Sequence, residues 1–224
     1  MHASVGTSIP RVDAYDKVTG RSKYTDDLCD RSALIAKVVH AEIGNGLVRT
    51  IDTSAAEPIP GVTRIFTCFD VPQHCYPTAG HPWSLDPGHQ DVADRRLLNQ
   101  RVRYYGDDIA VVLAENEVAA AQAVRAIRVE YDTYPVLLDV FDAMKEDATQ
   151  LHEAYPGNIL GHTHLATGNY AEAIREPGLI RVEGWYETPP VQHCHLETPI
   201  CTAHMEAGRI VVTASTQLPH IIRR

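Results

Sequence analysis

The stretch "DDIAVVLAENEVAAAQAVRAIRVEYDTYPVL", Asp107–Leu137, changes its periodicity twice, and those changes set the fold class. After two acids, Ile109–Ala114 runs apolar with β-branched residues, the pattern of a buried strand. Glu115–Ile127 is then rich in alanine, the residue with the highest helix propensity, and Asn116 stands where its side chain can cap the first turn. Arg128–Leu137 returns to a strand pattern of Val, Tyr and Thr. Strand, helix and strand in succession predict helices laid on a twisted sheet, an α+β layer.

Working outward, "LIAKVVHAEI" (Leu34–Ile43) and "GVTRIFT" (Gly61–Thr67) read as short strands beside that unit. The cluster Pro58, Pro60 and Gly61 sets a turn between "VRTIDTSAAE" and the second of them. Phe69–Leu98, rich in Pro, Gly, His and Asp, reads as one long loop, a length at which loops tend to carry function or contact a partner. The polar stretch "KEDATQLHEAYPGN" (Lys145–Asn158) marks a domain boundary, giving domains over residues 1–144 and 145–224. Beyond it, "LIRVEGWYETPPVQH" (Leu179–His193), "LETPICTAHME" (Leu196–Glu206) and "GRIVVTAST" (Gly208–Thr216) fit three sheet strands. "EAGR" supplies a tight turn between the last two.

The whole-chain numbers narrow the class. With 224 residues, 44% hydrophobic and 22% charged, the chain has the make-up of a water-soluble globular protein. A net charge of -9 argues against nucleic-acid or anionic-membrane partners, which need basic residues to meet phosphates, and favours a small-molecule or protein partner. The amino end lacks the apolar centre of a signal peptide, and the apolar runs are too short to cross a bilayer, so a cytoplasmic location is expected. Five scattered cysteines read as reduced thiols. The paired acids Asp26 and Asp27, and Asp107 and Asp108, read as solvated turn residues.

"PPVQHCHLET" (Pro189–Thr198) raises the question of a metal. On an extended strand His193 and His195 share a side while Cys194 faces away, and His162 and His164 in "GHTHLATGN" make a second such pair. Two His-x-His pairs suit tetrahedral zinc. Hydrogen-bonded histidines on a partly buried sheet explain the same residues without a metal, and no Cys-x-x-Cys or His-Glu-x-x-His spacing supports a site. Cys194 and Cys201 read as packed thiols. Nucleotide loops, a nucleophile elbow and an iron–sulfur cysteine set are all missing from the sequence.

Four stretches carry a family resemblance. "GTSIPRVDAYDKVTGRSKYTDD" (Gly6–Asp27), "TAGHPWSLDPGHQDVADRRLLNQRVRYYGDDIAVVLAE" (Thr78–Glu115), "GNYAEAIREPGLIRVEGWYETPPVQHCHLETPICTAHME" (Gly168–Glu206) and "VVTASTQLPHIIRR" (Val211–Arg224) resemble, in order, the molybdenum-binding subunits of the xanthine dehydrogenase and aldehyde oxidase family. The wording is most similar to bacterial xanthine dehydrogenases. The resemblance implies an α/β-hammerhead domain followed by the first part of a molybdopterin-binding domain. It implies the cofactor molybdenum-molybdopterin, with 2Fe-2S clusters and FAD on partner subunits, and a water-derived hydroxylation of an electron-poor carbon. Gln217, in "STQLPH", matches a family glutamine that donates a hydrogen bond beside the molybdenum centre, a task suited to a neutral amide. Gln192, His193 and Glu197 match positions near the cofactor domain's core, none of them metal ligands, and His195 falls outside the pattern. The glycine-rich cofactor loop and the glutamate base of the family do not occur in these residues. The resemblance therefore implies an amino-terminal piece or half of a split subunit, completed by the remainder of the molybdenum subunit, with the catalytic base beyond Arg224. A non-catalytic assembly module, or a hydroxylase of aldehydes, nicotinate or another aromatic heterocycle, fits the same wording.

Overall fold

Asp108–Ala114 becomes the middle strand of a three-stranded antiparallel sheet, which explains why its residues are apolar on both faces: Ile109, Ala110, Val112 and Ala114 are fully buried. The computed structural model describes residues 5–77, 93–160, 162 and 164–222. In chain order these form α1 (Ala14–Val18), a 3-10 turn (Thr25–Leu28), β1 (Ile35–His40), β2 (Gly46–Asp52), β3 (Val62–Thr67), β4 (Tyr76–Pro77), β5 (Ala93–Arg95) and β6 (Arg101–Val102). There follow β7 (Asp108–Ala114), α2 (Glu117–Ala126), β8 (Arg128–Thr133), α3 (Val140–Ala143), α4 (Tyr170–Ala173), β9 (Cys201–Glu206), β10 (Arg209–Ala214) and α5 (Pro219–Ile222).

Two compact units result, one within Leu34–Pro190 and one joining the described parts of Met1–Ala33 and Val191–Arg224. In the larger unit the sheets are ordered β1-β7-β3 and β6-β2-β8, all pairs antiparallel. The strand, helix and strand of Asp107–Leu137 thus do not share one sheet: β7 and β8 lie in different sheets. The reason lies in β2, which starts at Gly46 and runs on into "VRTIDTSAAE" (Val48–Glu57), a stretch to which the sequence pattern assigns no element. It pairs with β8 through a register shift between Val48 and Thr50, and that bulge breaks the alternation by which a strand is recognised. Val39, Val48, Leu98, Val102, Ile109 and Val112 form one buried cluster.

Asn116 caps α2 as expected, its side chain accepting from the Ala119 N–H at 2.9 Å. The alanines do more than favour a helix. Ala119, Ala120 and Ala123 make the buried face, and the first two pack with Ala114 of β7 and with Ile35, so small side chains let the helix lie close on the strand. The Pro58–Gly61 turn is also present, with Gly61 at φ +90° and the Val62 N–H bonded to Ile59 O. Of the expected long loop, Tyr76–Pro77 and Ala93–Arg95 pair as a short ladder, while Thr78–Val92, with its "TAGHPWSLD" wording, lies outside the described residues.

The stretch Lys145–Asn158 is pinned rather than slack. Asn158 accepts from Leu151 N–H and donates to Ala143 O and Thr149 O, and Arg103 Nε donates to Leu151 O at 2.8 Å. Leu179–His193 forms no strand. Its alternating pattern finds no ladder partner among the described residues, its Pro189 and Pro190 lack N–H donors, and Ile180, Val182, Trp185 and Tyr186 stand exposed. The other two expected strands are β9 and β10, paired from Arg209 opposite Glu206 to Ala214 opposite Cys201. Ala207 and Gly208 both adopt positive φ, 47° and 76°, as a two-residue hairpin turn requires. No helix among the described residues is long and apolar enough to cross a membrane.

Candidate functional site

The site residue predicted from the sequence, Gln217, sits just past the end of β10, on a bend between that strand and α5. Its side chain is exposed and makes no hydrogen bond to a described residue. Its two predecessors are anchored. Ser215 is bonded to Ile200 through both its backbone N–H (3.0 Å) and its hydroxyl, which accepts from Ile200 N–H at 3.0 Å. Thr216 Oγ1 accepts from the Leu218 N–H at 3.0 Å, and Pro219 then opens α5. The local sequence therefore ends a strand, turns, and starts a helix within a few residues, leaving at the turn a neutral amide, with donor and acceptor atoms, that bonds no described residue.

Glu197 is held elsewhere in the same unit. Its Oε1 accepts the Thr25 N–H at 2.8 Å, at the start of the 3-10 turn Thr25–Leu28, and Thr25 is buried. The carboxylate thus joins two segments far apart in sequence, a structural duty consistent with charge at a helical N-terminus. Gln192 and His193 are exposed, and the Gln192 side-chain oxygen accepts only its neighbour's N–H, that of His193 at 2.7 Å.

His193 and His195 do lie on one side, though not through a strand. Cys194 between them takes a positive φ of 52°, and their rings stack with centroids 5.2 Å apart and 10° between planes. Parallel stacked imidazoles aim their ring nitrogens along parallel planes instead of at a shared ion. Among the described residues no three or more His, Cys, Asp or Glu side chains converge as a metal site. Cys194 and Cys201 are exposed, not packed; the buried thiol is Cys68, whose pKa burial pushes up to about 11.

Asp26 and Asp27 keep to turn duty, Asp27 accepting the Tyr24 N–H at 2.9 Å. Asp107 does not. It is 3% exposed, and its carboxylate accepts from Asn99 Nδ2 at 2.9 Å, from Asp108 N–H at 3.1 Å and from Arg103 N–H at 3.3 Å, with the Arg95 guanidinium 3.8 Å away. Burial outweighs these donors and raises the Asp107 carboxyl above the usual carboxylate range. The clue in the sequence was its place at the mouth of a buried strand, beside Asn99 and two arginines.

Two family models match this chain: the α/β-hammerhead domain of aldehyde oxidase and xanthine dehydrogenase over residues 19–135, and the molybdopterin cofactor-binding domain over residues 151–224. The chain is 42% identical over 215 residues to a xanthine dehydrogenase molybdenum-binding subunit of Escherichia coli O157:H7, an alignment covering 96% of this chain and 28% of that protein. Among solved structures, quinoline 2-oxidoreductase from Pseudomonas putida 86 superposes with a TM-score of 0.76 at 25% identity, covering 98% of this chain and 28% of that one. The aldehyde oxidoreductase from Desulfovibrio desulfuricans ATCC 27774 gives a TM-score of 0.58 at 31% identity, over 66% of this chain and 17% of the other. The chain spans under a third of the length of each of these relatives.

Proposed function

The chain belongs to the aldehyde oxidase and xanthine dehydrogenase family, with a hammerhead domain followed by the start of a molybdopterin-binding domain, and we propose that it serves as the amino-terminal part of a xanthine dehydrogenase-like molybdenum subunit. The observation that carries this reading is the exposed amide of Gln217, which bonds no described residue and follows the anchored Ser215 at a turn closed by the Leu218 N–H on Thr216, inside the region that matches the cofactor-binding model. When bound, molybdenum-molybdopterin supplies the redox chemistry of a water-derived hydroxylation. Towards it Gln217 presents a neutral donor, able to orient and polarise without adding charge to the metal's surroundings. The fit is chemical: the amide is exposed, follows a serine tied to Ile200, sits within the Thr216–Leu218 turn, and has no competing hydrogen-bond partner among the described residues.

The same reading places the domain division near Lys145, puts the catalytic base in polypeptide outside these residues, and gives the 2Fe-2S clusters and FAD to partner subunits. Among the described residues no cysteine belongs to a cluster of three or more potential metal ligands. A purine such as xanthine is the substrate proposed, on the strength of the 42% identity to a xanthine dehydrogenase subunit, and the cytoplasm the location. Replacing Gln217 by Ala in the complete complex tests it. A cofactor contact predicts a loss of xanthine turnover of roughly 10- to 100-fold at unchanged folding, whereas unchanged turnover would reduce the chain to an assembly module.

A further inference from the structure

The end of β10 is built in an unusual way. Along the β9–β10 hairpin the two-residue turn makes Arg209 and Glu206 a hydrogen-bonded pair, and every second pair onward repeats it, so Ser215 opposite Ile200 is the next position where two residues would exchange both backbone bonds. One of those bonds is present, from the Ser215 N–H to Ile200 O at 3.0 Å. The other is not made by the Ser215 carbonyl. The Ile200 N–H donates instead to the Ser215 hydroxyl oxygen at 3.0 Å, and that hydroxyl donates back to Ile200 O at 3.3 Å.

A side-chain oxygen thus takes the place of a backbone carbonyl. The strand end stays tied on both ladder positions, while the Ser215 carbonyl is released and the backbone is free to leave the sheet at Thr216. Thr216 then closes its own turn on the Leu218 N–H, and the chain enters α5. Gln217 is the residue between the clasp and the helical turn, and its side chain bonds no described residue. Whatever precision its amide has must come from its neighbours.

We propose that Ser215 is the positioning residue for Gln217, its hydroxyl clasp on Ile200 fixing the backbone from which the amide reaches the cofactor. This rests on the reading of Gln217 given above. Alanine at 215 keeps the backbone bond and loses both hydroxyl bonds, while threonine retains the hydroxyl.

The test uses the assembled enzyme with Ser215→Ala, Ser215→Thr, Gln217→Ala and the Ser215→Ala/Gln217→Ala double variant. Three quantities are read: molybdenum content, hydrogen exchange of the segment around Ile200, and turnover. For Ser215→Ala the expected result is full molybdenum content, exchange at Ile200 faster by about tenfold, in line with losing the one acceptor of its N–H, and turnover lower by about three- to tenfold. Ser215→Thr should behave as wild type, and on the Gln217→Ala background Ser215→Ala should lower turnover no further, since it acts through the amide. Wild-type turnover in Ser215→Ala, an additive loss in the double variant, or loss of molybdenum with activity would each overturn the proposal. Wild-type turnover in Gln217→Ala would instead sink the reading of Gln217 itself, and with it any positioning role.

Discussion

Gly46 offers the sharpest test of how the larger unit is held together. It opens β2, the middle strand of the second sheet, and faces Val102 of β6 on one side and Thr133 of β8 on the other. A Cβ built there would stand 2.3 Å from the Asp132 carbonyl oxygen and 2.5 Å from Ile43 Cδ1, about 1 Å inside an ordinary non-bonded separation. The side-chain contact could be relieved by a new Ile43 rotamer, but the carbonyl belongs to a hydrogen-bonded strand and cannot turn aside. Gly46→Ala must therefore push β8 away from β2 or break the ladder at its first pair. Overpacking of this kind, with a backbone bond or two forfeited, costs roughly 3 kcal/mol, about two powers of ten in the folding equilibrium. Urea unfolding followed by circular dichroism measures it. Gly106→Ala is the control: its φ of 93° brings strain, but a Cβ there meets nothing within 4 Å, so the cost should be nearer 1 to 2 kcal/mol. If Gly46→Ala left the unfolding midpoint unchanged, or cost less than Gly106→Ala, the close approach of β2 and β8 would be wrong.

Three further outcomes follow from the same structure. Asn116→Ala removes the acceptor for the Ala119 N–H and should cost about 1 kcal/mol, with Asn116→Asp recovering most of it in the same urea titration. Glu197→Ala strips the buried Thr25 N–H of its acceptor; exchange at that amide should rise by about tenfold while Glu197→Gln, which keeps an acceptor oxygen, stays near wild type. Because burial raises the Asp107 carboxyl, the fold favours its protonated form. Its contribution is fully present below the unfolded carboxylate range near pH 4 and is lost as pH rises through the raised folded value. Asp107→Asn, neutral throughout, lacks that dependence, so the stability difference between variant and wild type should move in the wild type's favour between about pH 7 and about pH 4, and a difference independent of pH would refute the buried-charge account.

Much of the larger unit was legible because its elements are local. The apolar run of β7, the Asn116 cap and the Pro58–Gly61 turn each announce themselves within a few residues. The partition into two sheets was not, since it depends on β2, whose bulge at Val48–Thr50 disrupts the alternating signal, and on pairings between residues some eighty positions apart. Leu179–His193 shows the converse. Its alternation is plain, yet a strand exists only where another takes its hydrogen bonds, and among the described residues none does. In the candidate site, "STQLPH" singled out Gln217 only through resemblance, while the clasp of Ser215 on Ile200 could not be foreseen, because a serine hydroxyl replacing a carbonyl leaves no periodic trace. The His193 and His195 spacing shows a related limit: spacing of two implies a shared side on a strand, but it is the positive φ of Cys194 that accompanies the rings' stacking, parallel and not converging.

The most direct test of the central claim is elemental analysis of the native complex that carries this sequence, isolated under mild conditions, together with the intact masses of its polypeptides. The proposed role as part of a molybdenum hydroxylase subunit predicts molybdenum in stoichiometric amount with the chain, and iron in whatever polypeptides accompany it. A complex devoid of molybdenum, or one holding zinc alone at one ion per chain, would contradict it.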